Sequence, residues 1–272
     1  MAERIRVGDL EVQYEEAGSG GRPFVLVHGF TGSNDDFLDV LEPLAALGRT
    51  VAPDQRGHGG TSNPGRGYDL DTLTRDLAAF LDAVGIERCD LLGHSLGGMV
   101  ALRLVLAQPE RVASLVLMDT SARSLGGRPG RLRAVGKVAG WLPPGLMWRL
   151  ARSGRNRLPA PMKGAEQAMG PERYWQRLRT KLEAMDRGAY GPLAAAVAEQ
   201  APLTSRLSEI RCPTLVIVGD QDAAFRAPSD EMASGIPDAK LVVVEGAHHS
   251  PQIEATEAWL DAVHAHLARA RA

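Results

Sequence analysis

The chain has 272 residues, 44% of them hydrophobic and 24% charged, with 31 lysines and arginines against 33 aspartates and glutamates for a formal charge of −2. That length suits one large domain, or one domain with a sizeable insertion, and the composition excludes disordered, collagen-like and coiled-coil chains. A near-neutral total also removes any whole-molecule electrostatic case for nucleic acid or an anionic membrane.

The first residues, Met1 to Val7, carry charges and no apolar signal segment, and no stretch approaches 18 apolar residues. A cytoplasmic protein with no membrane segment is expected. Cys89 and Cys212 each open an apolar run without CxxC or Cys/His spacing. Free buried thiols are expected, rather than a disulfide framework or a structural metal.

In chain order, short β-rich apolar runs occur at 10–14, 24–27, 50–51, 90–92, 114–118, 214–218 and 241–244. Most lack polar alternation and are expected as central strands buried on both faces of a parallel sheet. Between them, helical spacing is found at about 35–47, 72–84, 96–107 and 229–235, with a terminal helix from Glu254. In the second of these Leu73, Leu77, Phe80, Leu81 and Val84 form the apolar face, Gly85 follows at the C′ position, and Pro109 closes the third. Strand alternating with helix implies right-handed crossovers and a doubly wound α/β sheet.

The alternation breaks over 121–205, which holds Gly126-Gly127, Pro143-Pro144, Pro159, Pro161 and helix-like pieces bearing Trp141, Trp148, Tyr174 and Trp175. A helical cap is expected there, inserted into a core made of 1–120 and 206–272. The insertion carries 15 basic and 5 acidic residues, a formal charge near +10 against −12 for the remainder. Two readings follow: basic side chains on the solvent face that pair with the acidic body, or a basic mouth that attracts an anionic substrate. Trp141 and Trp148 are expected to line an apolar acyl pocket rather than to stack nucleic-acid bases. Neither GxGxxG nor GxxxxGK[ST] occurs, so no nucleotide cofactor is expected.

The sharpest motif is Gly93-His94-Ser95-Leu96-Gly97, set between the run at 90–92 and the helix at 96–107. A strand turning sharply into a helix strains its apex and leaves no room for side chains two residues either way. The apex hydroxyl then stands at a helix N-terminus, where developing negative charge is favoured. The plainer alternative is that Ser95 only caps the helix. A serine nucleophile needs a histidine base, oriented by an acid. His264 and His266 fall on the terminal helix, whereas His248 and His249 follow the last strand across Gly246-Ala247, so one of these two is the expected base. Asp222, three residues past Gly219 at a strand end, is the expected acid, with Asp119 its rival. The N–H groups of Leu96 and of Phe30, in the loop His28-Gly29-Phe30-Thr31-Gly32, are the expected oxyanion donors.

These motifs together resemble the α/β-hydrolase superfamily, in its serine-nucleophile esterase and lactonase branch. His28-Gly29-Phe30 resembles the family's HGx loop, 54–61 its DxRGxGxS loop with Thr61 for serine, 93–97 its nucleophile elbow, 219–222 its GxxD turn and 246–251 its GxGHxP loop. The resemblance implies a mostly parallel eight-stranded twisted sheet with helices on both faces and a helical cap. It makes His249 the base and puts His248 where the family has a small residue. His94, beside the serine, becomes a substrate-side candidate with Trp141 and Trp148. Serine at the apex disfavours dehalogenases and epoxide hydrolases, which use aspartate. The implied activity is hydrolysis of a small-molecule carboxylic ester or lactone. Two alternatives remain: carbon–carbon bond cleavage or a menaquinone-pathway-like elimination on an anionic substrate, suggested by HGFTGS at 28–33, and non-catalytic ligand binding.

Overall fold

Eight of the apolar or alternating runs are extended: β1 (Glu3–Val7), β2 (Leu10–Ala17), β3 (Phe24–Val27), β4 (Thr50–Pro53), β5 (Cys89–His94), β6 (Val112–Met118), β7 (Thr214–Gly219) and β8 (Ala239–Val244). In the computed structural model, which describes residues 2–124, 134, 136, 138, 140–154 and 160–272, they form one sheet in the order β1-β2-β4-β3-β5-β6-β7-β8. The β1–β2 and β2–β4 pairings are antiparallel and every later pairing is parallel.

Strands β3 to β7 are buried at every residue, as expected of strands covered on both faces. Successive side chains of these strands enter two different cores. Val25, Leu91, Leu115 and Val216 pack with helices α2 (Leu70–Ala83) and α3 (Leu96–Ala107) through Leu73, Leu77, Phe80, Met99 and Leu102. Their neighbours Leu26, Leu92, Val116 and Ile217 pack on the other face with helix α1 (Leu38–Ala45) and a C-terminal helix, through Leu41, Leu44, Trp259, Val263 and Leu267.

Two outer strands depart from the expectation. β1 has no apolar run because Glu-Arg-Ile-Arg-Val alternates, as suits an edge strand wet on one side. β8, at the opposite edge, keeps only Val244 buried.

Between β6 and β7 the described residues form helices α4 (Pro144–Ser153), α5 (Ala160–Met169), α6 (Pro171–Ala184) and α7 (Tyr190–Glu199), with no strand among them. Gly126-Gly127 and Pro159 lie outside the described residues. Beyond β7, helix α8 (Ala223–Gly235) starts six residues before the expected 229, since Phe225, Pro228 and Met232 bury one face and Pro228 does not stop it. The helix expected from Glu254 begins two residues later as α10 (Thr256–Arg271), set off from a short α9 (Pro251–Glu254) by Ala255, whose backbone (φ −143°, ψ 56°) is non-helical. Cys89 is buried and Cys212 half-buried, both free, and burial pushes the Cys89 thiol up to about 12. Among the described residues no helix is long and apolar enough to cross a membrane.

Candidate active site

The strand-to-helix turn between β5 and α3 holds Ser95 at φ 52°, ψ −115°, a region non-glycine residues avoid. The neighbouring strand holds it there: Ser95 N–H donates to Met118 O at 2.9 Å, and Thr120 Oγ1 donates to Ser95 O at 2.6 Å. The Ser95 side chain makes no capping bond to α3. Its hydroxyl is therefore not committed to the helix, contrary to the plain capping alternative. A Cβ on Gly97 would press into the Val27 carbonyl, so the elbow packs directly on β3. A Cβ on Gly29 would lie 3.1 Å from Ser95 Cβ and 3.2 Å from His94 Nδ1, which places the loop after β3 against the serine.

His28 fixes that loop. Its Nδ1–H donates to Gly29 O at 2.8 Å, and its Nε2 accepts from Gln55 N–H at 3.0 Å. Burial lowers its pKa, so the ring is neutral in this tautomer. Among the described residues neither the Phe30 nor the Leu96 N–H donates to a backbone carbonyl.

His249 reaches the site from the loop after β8. Its Nδ1 lies 2.6 Å from Asp222 Oδ2, and the Phe225 ring stacks on it at 4.8 Å and 30°. Asp222 is buried at the start of α8. His248 turns elsewhere: Glu254 receives its Nδ1 at 2.9 Å and its backbone N–H at 2.9 Å, together with the Ser250 N–H at 3.0 Å. One carboxylate thus shapes the whole histidine loop. Sequence reasoning missed Glu254, whose only signal was an acid five residues beyond His249.

His94 is buried between these parts and donates from Nε2 to the His249 carbonyl at 2.7 Å. Burial, reinforced by the nearby His249, pushes its pKa down to about 3. The neutral ring therefore presents Nδ1 as a buried acceptor. Asp119, the rival acid, is fully buried beside Asp222 at φ 43°, and its Oδ1 accepts from Gly219 N–H at 3.1 Å.

A cavity of about 240 Å³ opens over this site, lined by Phe30, His94 and His249 from below and by Met169, Tyr174 and Leu178 from α5 and α6. A larger cleft of about 590 Å³ lies between α2, α3 and α7, and none of Ser95, Asp222 and His249 lines it. The two tryptophans expected at the pocket line neither. Trp141 is 84% exposed, and Trp148 lies under Arg152 and Arg179 with its Nε1–H on the Trp175 carbonyl at 3.0 Å. An aromatic within a basic segment does not reveal which way it faces; the apolar lining comes from methionine, leucine and tyrosine.

The basic residues nearest the cavity are paired. Arg177 of α6 contacts Asp35 at 2.6 Å and Asp39 at 2.9 Å, Lys181 contacts Asp36 and lies 3.6 Å from Asp35, and Arg173 contacts Asp39. Burial works against an ionised Asp36, but the ammonium of Lys181 outweighs it and holds that carboxyl below its usual range. Three cations meet three carboxylates, the pairing that the first reading expected, although Arg177 and Lys181 line the cavity rather than the solvent face. Arg128, Arg131, Arg133, Lys137, Arg155 and Arg157 lie outside the described residues.

Residues 22–256 match the family described as alpha/beta hydrolase fold, and the chain belongs to it. The chain is similar to the dihydrolipoyllysine-residue acetyltransferase component of the acetoin cleaving system of Pseudomonas putida, 33% identical over 258 residues and 92% of this chain. It spans 64% of that protein's length. A putative 2-succinyl-6-hydroxy-2,4-cyclohexadiene-1-carboxylate synthase of Bacillus subtilis (strain 168) is 29% identical over 247 residues, 88% of each chain. Among solved structures, a thermophilic esterase from Thermogutta terrifontis is similar with a TM-score of 0.85 at 25% identity, covering 100% of both chains.

Proposed function

We propose that the protein is a serine hydrolase that cleaves a small carboxylic ester or lactone through an acyl-enzyme. The observation that carries this reading is the 2.6 Å His249–Asp222 pair, joined by the 2.7 Å His94–His249 carbonyl bond to the elbow that holds an uncapped serine at φ 52°. Ser95 Oγ attacks the acyl carbon and His249 Nε2 takes its proton, while Asp222 keeps the Nδ1 hydrogen in place and stabilises the imidazolium. The N–H groups of Phe30 and Leu96 receive the oxyanion. His249 then returns the proton to the leaving alcohol, and water repeats the sequence to release the acid. Helices α4 to α7 act as the cap, with Met169, Tyr174 and Leu178 offering an apolar wall to the acyl group.

Carbon–carbon cleavage or a menaquinone-pathway-like elimination on an anionic substrate is the second reading, and the carboxylate in the name of the Bacillus relative favours its anionic character. The ion pairing of Arg177 and Lys181 weighs against it, because those charges are already neutralised at the cavity wall. Turnover of short p-nitrophenyl esters, run beside an anionic diketo acid, separates the two. Ser95→Ala is expected to lower ester turnover by about 10⁴-fold and to abolish labelling by a fluorophosphonate. Ester turnover that survives in Ser95→Ala overturns the mechanism, and preference for the diketo acid moves the assignment to the second reading.

A further inference from the structure

Asp119 has no part in the scheme above, yet it is a fully buried carboxyl at the end of β6, between the strands that carry Ser95 and Asp222. Its Oδ1 accepts the Gly219 N–H at 3.1 Å, whereas its Oδ2 is buried and no donor hydrogen points at it. One atom each of Asp119, Asp222 and His249 lie within 4.8 Å of one another. Two ionised carboxylates packed so closely repel strongly, and one proton shared between them turns that repulsion into a hydrogen bond. Asp222 is the member that faces an imidazole donor. The proton therefore belongs on the other.

We propose that Asp119 is a positioning residue that, as a neutral carboxylic acid, donates a hydrogen bond from Oδ2 to Asp222 and so fixes the oxygen that Asp222 offers to His249. This rests on the triad reading above. The geometry supports it independently: Asp119 sits at φ 43° with its N–H on Ile217 O at 3.0 Å, and its Oδ1 is held by the Gly219 N–H at 3.1 Å, so backbone and carboxyl are both anchored to β7. Burial is the largest influence on its titration, followed by the Asp222 charge, and both push its pKa well above the ordinary carboxylate range. The groups facing it are Asp222, the Gly219 N–H, the His249 ring within 4.8 Å and, at longer range, Glu254. Of these only His249 can carry positive charge, and its Nδ1 is already turned to Asp222 Oδ2 at 2.6 Å. The device differs from an ordinary triad acid in that the inner carboxyl works by giving a hydrogen and carries no charge.

Asparagine is nearly isosteric, tolerates positive φ, and keeps both an acceptor for Gly219 and a donor for Asp222. Glycine also tolerates the backbone but removes the donor. The test measures fluorophosphonate labelling rates and p-nitrophenyl ester kcat and KM against pH for wild type, Asp119→Asn, Asp119→Gly and Ser95→Ala. Asp119→Asn is expected to stay within about 3-fold of wild type with the acid limb of its pH profile unmoved. Asp119→Gly is expected to lose roughly 10- to 100-fold in kcat with KM little changed, as supporting hydrogen bonds to catalytic groups commonly do. The proposal fails if Asp119→Gly matches wild type, if Asp119→Asn is as slow as Asp119→Gly, or if the acid limb shifts in Asp119→Asn, which would mean that a charge had been removed. Activity persisting in Ser95→Ala would instead overturn the triad reading itself.

Discussion

His248 and His249 are adjacent in the chain but answer to different carboxylates, Glu254 and Asp222, each with a bond shorter than 3 Å. At the scale of single residues the consequence is a division of labour that substitution should expose. His249→Asn is expected to lower ester turnover by about 10³-fold or more, since it removes the proposed base. His248→Asn keeps a side-chain donor for Glu254 and is expected to stay within about 10-fold. Reversal of that order, read from kcat for a p-nitrophenyl ester, would transfer the base to His248. The serine was legible in sequence because its neighbours are dictated by sterics: Gly97 has no room for a Cβ against Val27. Asp222 was legible because it stands directly after the buried strand β7, and the histidine loop because it follows the apolar run of β8. Glu254 and the role of Asp119 were not, because each acts through a contact between loops that have no common local pattern.

At the scale of elements, strands were readable wherever apolar residues ran continuously, the edge strand β8 included, whereas the edge strand β1 was not. β1 alternates charge with apolar side chains and borrows its stability from β2. The break between α9 and α10 turns on a single non-helical residue, Ala255, that carries no breaker signal in its side chain. Helix α6 shows a different limit: its basic face was evident, but the acids that meet it follow β3, more than 130 residues earlier. Arg177, Lys181 and Arg173 tie α6 to the segment just beyond the loop that carries Phe30. Arg177→Met is expected to lower stability by about 1 kcal/mol, the upper range for partly exposed pairs, and the difference should shrink in about 0.5 M salt. Chemical denaturation of the two proteins at low and high salt checks this; a salt-independent difference would mean that packing, not charge, holds α6.

At the scale of the molecule, several histidines are buried in the neutral form. Burial pushes His58 and His94 down to about 3 and His266 down to about 4. Each binds a proton in the unfolded chain near pH 6.5 that it refuses in the fold, so its contribution is full above that pH and is lost as pH falls towards 3 or 4. Each can add up to about 1.4 kcal/mol per pH unit to the slope. Thermal unfolding followed from pH 7 to pH 4 should show Tm falling steadily, and His266→Leu should flatten the fall by about one proton. A Tm independent of pH across that window would mean that these rings remain accessible to water.

The parallel run from β5 through β8 has a further bearing. Ser95, Asp119, Asp222 and His249 stand at the ends of four successive strands in space, while up to 154 residues of chain separate them, so no local segment holds even two of the proposed partners. Pairings across such distances close late in folding, after helices and hairpins have formed. Ester turnover by the proposed residues is accordingly expected to be lost before helix and strand content as the chain loosens, which would make it a stricter gauge of the native state than any measure of its secondary structure.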